Sequence, residues 1–168
     1  MHVPARFLRT LCVPLLFAAL LAGCRSMLSD GPPSLESLEQ AKQAFLGAWT
    51  KNPGDTFTTE KLSRVIDGDA FVSFDAMSKD KTVIRGFDAY AAIWGPGMVG
   101  FKTARLSETE NVHVWMGRDH AITASIVRIE GEMVDGTRLD MPGHLTLGWH
   151  RRGDEWRLIH EHMSLGVK

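Results

Sequence analysis

Three histidines near the end of the chain, His144, His160 and His162, are the residues whose type and spacing first suggest chemistry. His160 and His162 are two apart, so on a strand they share a face. An imidazole can take or give a proton near neutral pH, and alternating strand histidines can also hold zinc. Asp75 could orient such a histidine or act as a base, and a carboxylate partner could equally come from Glu161. Acid–base chemistry, a metal site, and plain hydrogen-bonded histidines are all open from these residues alone. Among the tryptophans, Trp94 stands out because it closes a predicted helix beside Gly95-Pro96-Gly97, a candidate pocket lid.

A hairpin must position the histidines. From Met141 to Leu165, two alternating apolar stretches flank Arg151-Arg152-Gly153. Glycine at the third position suits a three-residue loop with a left-handed residue. That register pairs His150 with Asp154, Gly148 with Trp156, Thr146 with Leu158, and His144 with His160. His144, Thr146, His160, His162 and Ser164 then share one face. Leu145, Leu147, Trp149, Ile159 and Met163 share the other. A two- or four-residue loop would shift the pairing and separate His144 from His160.

The elements upstream follow from periodicity. Ser34 can cap a helix whose apolar stripe is Leu38, Ala41, Phe45, Ala48 and Trp49, stopped by Asn52-Pro53-Gly54. Residues 57–66 read as a second, shorter helix. Strands follow at 70–75 and 82–85, then a third helix over 87–94. The remainder is strand, at about 101–116, 120–131, 137–150 and 155–165. The order is ααββαββββ, with helices early and long strands late, which argues an α+β fold.

The chain opens with a targeting segment. Arg6 and Arg9 precede an apolar run from Leu11 to Leu21, too short for a stop-transfer helix. The run ends in Leu21-Ala22-Gly23-Cys24, which resembles a bacterial lipoprotein lipobox. The resemblance implies cleavage before Cys24 and its lipidation; an ordinary secretory signal or a short anchor is the alternative. Residues 1–23 are then the signal, 24–33 a tether and 34–168 the domain. Arg25 in place of an aspartate leans toward the outer membrane, facing the periplasm, rather than the inner membrane. Cys12 and Cys24 are the two cysteines of the chain, so the domain itself carries neither disulfide nor thiolate chemistry. Removing residues 1–23 leaves 145 residues with 17 basic and 20 acidic side chains, a net charge of −3. Such a balance offers no basic excess for a nucleic-acid backbone. Gly95-Pro-Gly-Met-Val-Gly100 spells a dinucleotide fingerprint but follows a helix and precedes a strand, so it is a loop.

Two stretches together resemble a known family. Phe74, Asp75, Gly86, Tyr90 and Trp94 match the strand-strand-helix segment of SnoaL-like proteins in the nuclear transport factor 2-like superfamily. Thr146, Trp156, His160, His162 and Ser164 match the closing hairpin, while His144 stands where that family has an arginine. The resemblance covers most of residues 35–165. It implies a cone, a strongly curved mixed sheet with three helices in the N-terminal half, wrapped around a pocket. It also implies pairing into a homodimer through a sheet face. An arginine at the first histidine position would repel a metal, so neither metal nor cofactor is expected. The expected function is binding of a small, mostly apolar molecule, oriented by Asp75, Trp94, His144, His160 and His162. An isomerase-, cyclase- or hydrolase-like acid–base enzyme in the same pocket is the alternative, with His160, His162 and Asp75 as its candidates. A dimeric envelope interaction module without a ligand is the third reading.

Overall fold

The computed structural model describes residues 34–75 and 83–166. The expected signal, Cys24 and the tether lie outside them, as does Thr82 at the start of the expected second strand.

Helix α1 (Leu35–Ala48) is capped as the sequence predicts: Ser34 Oγ accepts from the Ser37 amide at 3.1 Å. Leu38, Phe45, Ala48 and Trp49 of its stripe are buried. Its inner side also carries a charge. Lys42 is 1% exposed, with Nζ 2.8 and 2.9 Å from the two oxygens of Glu108 and 2.9 Å from Glu39. Ser125 also donates to Glu108.

Helix α2 (Glu60–Ser63) is a single turn, shorter than the expected 57–66. The reason is tertiary. The Asp67 amide donates to Leu158 O at 2.8 Å and the Leu158 amide to Val65 O at 2.9 Å, so this backbone joins the sheet instead of prolonging the helix. Strands β1 (Val72–Asp75) and β2 (Ile84–Arg85) follow. Gly86, at φ 80°, turns the chain into helix α3 (Phe87–Gly97). The expected loop at Gly95-Pro96-Gly97 is therefore the last turn of α3. A proline there costs little, because the turn closes through the Met98 amide on Trp94 and Pro96 carbonyls.

Four long strands complete the chain: β3 (Phe101–Met116), β4 (His120–Met133), β5 (Arg138–Arg152) and β6 (Glu155–Leu165). The element order is the expected ααββαββββ. The six strands form one open, curved sheet in the order β2-β1-β6-β5-β4-β3. Only β1 and β6 run parallel, so the sheet is mixed. Three register shifts along β3 and β4, at Phe101/Thr103, Glu108/Glu110 and Asn111/His113, are the kind of irregularity that bends a sheet. The helices cover the inner face, where Leu145, Leu147, Trp149 and Leu158 meet Phe45, Ile66 and Phe71. The Trp149 indole donates to Thr123 Oγ1 at 3.2 Å within this layer.

The last hairpin differs from its expected register. Its loop has two residues, Gly153 and Asp154, because Arg152 pairs with Glu155. Gly153 has φ 61°, which a two-residue turn of the primed kind needs at its first position. Trp156 consequently pairs with Arg151, not Gly148. A bulge between Gly148 and Trp149 then leaves Ile159 unpaired, so Gly148 meets His160 and His144 meets Ser164. The bulge adds one residue and restores the parity. His144, Thr146, His160, His162 and Ser164 share a face after all, although His144 and His160 are not partners.

Candidate cleft on the inner face of the sheet

The inner face opens into a cleft between α3, the end of α1 and the curved strands. Its wall is apolar, built from Trp49, Trp94, Met98, Phe101, Leu106, Ile129 and Met163 among others, around a space of about 80 Å³. Two acids line it, Asp75 on β1 and Glu161 on β6. Arg105 and Glu130, from β3 and β4, stand on the same wall and are more open to solvent. Lys51 fixes one side by donating to Met98 O at 3.0 Å and to Phe101 O.

Local pairing explains how the acids arrive there. The parallel register sets Ser73 opposite Glu161 and Asp75 opposite Met163. Strand alternation then turns Ser73, Asp75, Glu161 and Met163 inward together. Asp75 is 8% exposed and Glu161 3%. Ser73 Oγ donates to Glu161 Oε2 at 3.1 Å. Tyr90 of α3, fully buried, brings its hydroxyl against the same acid but without aligned hydrogen-bond geometry to any described acceptor.

Burial is the largest influence on Glu161 and pushes its carboxyl up to about 7; the Asp75 charge pushes the same way, against the contacts from Tyr90 and Ser73. Burial likewise holds the Tyr90 phenol well above its ordinary range, reinforced by the Glu161 and Asp75 charges. The aromatic wall is tightly knit: the Trp49 and Trp94 rings meet edge to face at 4.9 Å, and Tyr90 meets Trp49 at 6.0 Å. The indole N–H groups of Trp49 and Trp94 are buried and find no acceptor among the described residues. Buried donors left unpaired are costly and mark places where a ligand or water is accommodated.

Of the expected site residues, Asp75 and Trp94 line the cleft. His144, His160 and His162 do not. They lie together on the outer face of the sheet, as do all six histidines of the described residues, including the stacked pair His120 and His150 at 4.7 Å. His160 Nδ1 donates to Val72 O at 3.0 Å, and its ring and that of His162 flank Phe74 at 5.4 and 6.1 Å. The expectation that these histidines form the pocket floor is corrected by strand parity. The neighbours Leu145, Leu147 and Met163 are the buried side, so the histidines face outward. Among the described residues no three His, Cys, Asp or Glu side chains converge as a metal site would require. Glu161 is the residue that sequence reasoning undervalued. Its signal was its parity, one step from two outward histidines and in line with Met163.

Residues 43–168 match the family model of the SnoaL-like domain. The chain belongs to the SnoaL-like domain family. This SnoaL-like domain also resembles solved structures of the NTF2-like superfamily. One is a Streptomyces avermitilis protein of the NTF2-like family, 19% identical, with TM-score 0.65, covering 79% of this chain and 97% of that one. Another is an NTF2-like superfamily protein from Salmonella enterica, 14% identical, with TM-score 0.64, covering 79% and 91%. A third, from Shewanella frigidimarina, is named as a proposed ketosteroid isomerase; it is 18% identical, with TM-score 0.55, covering 77% and 92%. At these identities the likeness is one of fold. No curated protein matches the SnoaL-like domain or the rest of the chain.

Proposed function

We propose that the SnoaL-like domain binds a small, mostly apolar molecule in the cleft, with Trp94 on its wall and Asp75 and Glu161 at its polar end. The observation that carries this reading is an aromatic and methionine-rich cleft that holds two buried carboxyls and two indole donors without acceptors among the described residues. Apolar walls with a few convergent polar groups are the usual makeup of a ligand site. Native mass spectrometry of the protein purified from its own host tests it. A retained small molecule, lost in Trp94→Ala, is the expected result; no retained molecule, together with tryptophan fluorescence indifferent to apolar additives, overturns it.

One observation favours a second reading, acid–base catalysis in the same cleft. Glu161, pushed up to about 7 chiefly by burial, can give or take a proton near neutral pH, and Asp75 lies on the neighbouring strand of the same cleft. The isomerase named among the structural relatives is in keeping with this reading. Turnover of an apolar ketone that is lost in both Asp75→Asn and Glu161→Gln is its expected signature.

Two further proposals concern surroundings. The lipobox supports anchoring through Cys24 in the cell envelope, and Cys24→Ala should abolish lipid labelling. The outer sheet face, where Phe74 is 46% and Trp115 54% exposed, supports a homodimer. Light scattering of the released protein should then give twice the chain mass.

A further inference from the structure

We propose that the outer face of the sheet holds two copies of the chain together at neutral pH and releases them in acid, with its histidines as the switch. This rests on the homodimer reading above and adds how that contact is controlled.

Strand pairing fixes the layout of the face. Its histidine-bearing half runs from the cross-strand pair His120 and His150 at one end to Ile126 and His144 at the other. Between them stand Trp115, Ile122 and Phe74, all well exposed. Fixed charges keep to the margin. Arg85 is on the β2 edge, Glu110 on the β3 edge, and Arg118 and Asp119 are in the turn between β3 and β4. Arg157 of β6 is engaged by the backbone carbonyls of Ser63, Arg64 and Ile66. Past His144, Arg128 and Asp140 hold each other at 2.6 and 2.7 Å, with Arg105 and Glu130 in the next cross-strand row. An aromatic centre without fixed charge, inside a charged rim, is the layout of a contact surface.

A second copy is the occupant this layout suits. Five strands about 4.8 Å apart, each giving about seven residues at about 3.4 Å, make a footprint of about 550 Å² per copy. Two footprints, about 1,100 Å², fall at the low end for specific pairing, so a modest change of charge can undo the contact.

The histidines supply that change. An imidazole gains its charge between about pH 8 and pH 5. The two faces of a symmetric pair are the same surface, so they charge together and with the same sign. With neutral imidazoles the two centres meet without burying a charge. In acid each copy presents up to six cations to the other's six, against Glu110 at the margin. The same holds within one copy: the His120 and His150 rings stack at 4.7 Å and 12°, a contact that two imidazolium ions would repel. His160 donates through Nδ1 to Val72 O, which leaves Nε2 to take the proton. The paired state therefore disfavours protons, and pairing is lost as pH falls through the histidine range.

Sedimentation equilibrium of the full chain at pH 8 and pH 5.5 tests the proposal. The expected result is a dimer at pH 8 whose dissociation constant rises by about tenfold or more at pH 5.5, with unchanged circular dichroism. Ile122→Lys, which sets a permanent charge in the centre of the face, should be monomeric at both pH values. His113→Gln, His144→Gln and His162→Gln combined, all at exposed positions, should keep most of the pairing at pH 5.5. A monomer at pH 8 overturns the homodimer reading and the switch together. A dimer equally tight at both pH values overturns the switch and leaves the homodimer. A dimer that survives Ile122→Lys places the contact elsewhere and overturns the proposal, as does an unchanged acid loss in the triple variant. Should the triple variant unfold, salt decides: screening by 0.5 M sodium chloride should restore pairing of the parent protein at pH 5.5, and no restoration overturns charge repulsion as the cause.

Discussion

His160 lies directly across from Gly148, so close that a Cβ at position 148 would sit 3.0 Å from the Cβ of His160. The histidine has little room to retreat, because its ring is tied to Val72 O on the opposite side. Gly148→Ala should destabilise the domain by about 1–2 kcal/mol, the cost of a modest overpacking. Urea unfolding of the two proteins measures it. An unchanged midpoint would show that β6 shifts freely, against the close contact described.

Glu161 gives the domain a pH dependence of definite sign. Its folded value, about 7, is above the ordinary value of 4.5, so the folded state holds the proton more tightly than the unfolded state. This contribution to stability is fully present below about pH 4.5 and is lost as pH rises through about 7. The full swing is on the order of 3 kcal/mol. Glu161→Gln cannot ionise, so unfolding midpoints at pH 5 and pH 8 should lie closer together in that variant than in the parent. Equal pH slopes in both would remove Glu161 as the cause.

Lys42 is placed so that removing it harms more than removing the pair. Lys42→Met strands Glu108, itself only 14% exposed, with Ser125 as its remaining partner among the described residues. The expected loss is about 3 kcal/mol, the low end for breaking a buried ion pair. Lys42→Met with Glu108→Gln should recover part of it. A double-mutant cycle with no coupling would contradict the contact.

Trp156 joins the final hairpin to α1, since its indole donates to Ser37 Oγ at 3.2 Å and its ring is buried. Trp156→Ala should cost about 3–5 kcal/mol. Loss of near-ultraviolet dichroism at ambient temperature would be the simplest readout, and a change under about 1 kcal/mol would mean the ring is not core.

These positions show what the sequence could and could not reveal. The order of elements and the spans of the four long strands were legible because alternation over a dozen residues is a strong signal. The one-turn α2 was not, because pairing of Val65 and Asp67 with Leu158 is a long-range event with no local mark. The hairpin shows a compensation. Its loop is one residue shorter than glycine placement suggested, and the bulge at Ile159 cancels the shift, so the shared face of the histidines was right while their partners were not. Which side of the sheet that face occupies depends on where α1 and α3 pack. Asp75 and Trp94 were legible from the family-like segment around them. Glu161 was hidden between two conspicuous histidines, and its importance emerges from burial next to β1, a parallel pairing that no hairpin pattern announces.

The place of β6 in the sheet has a consequence for how the protein is made. The last strand of the chain sits between β1 and β5, and β1 has no other route into the rest of the sheet. A ribosome that has released everything through residue 154 has therefore supplied β1–β2 and β3–β4–β5 as separate pieces, with Val65 and Ser73 still waiting for partners about 90 residues downstream. Such distant pairings form late and slowly. The sheet therefore cannot join its two parts until β6 has emerged.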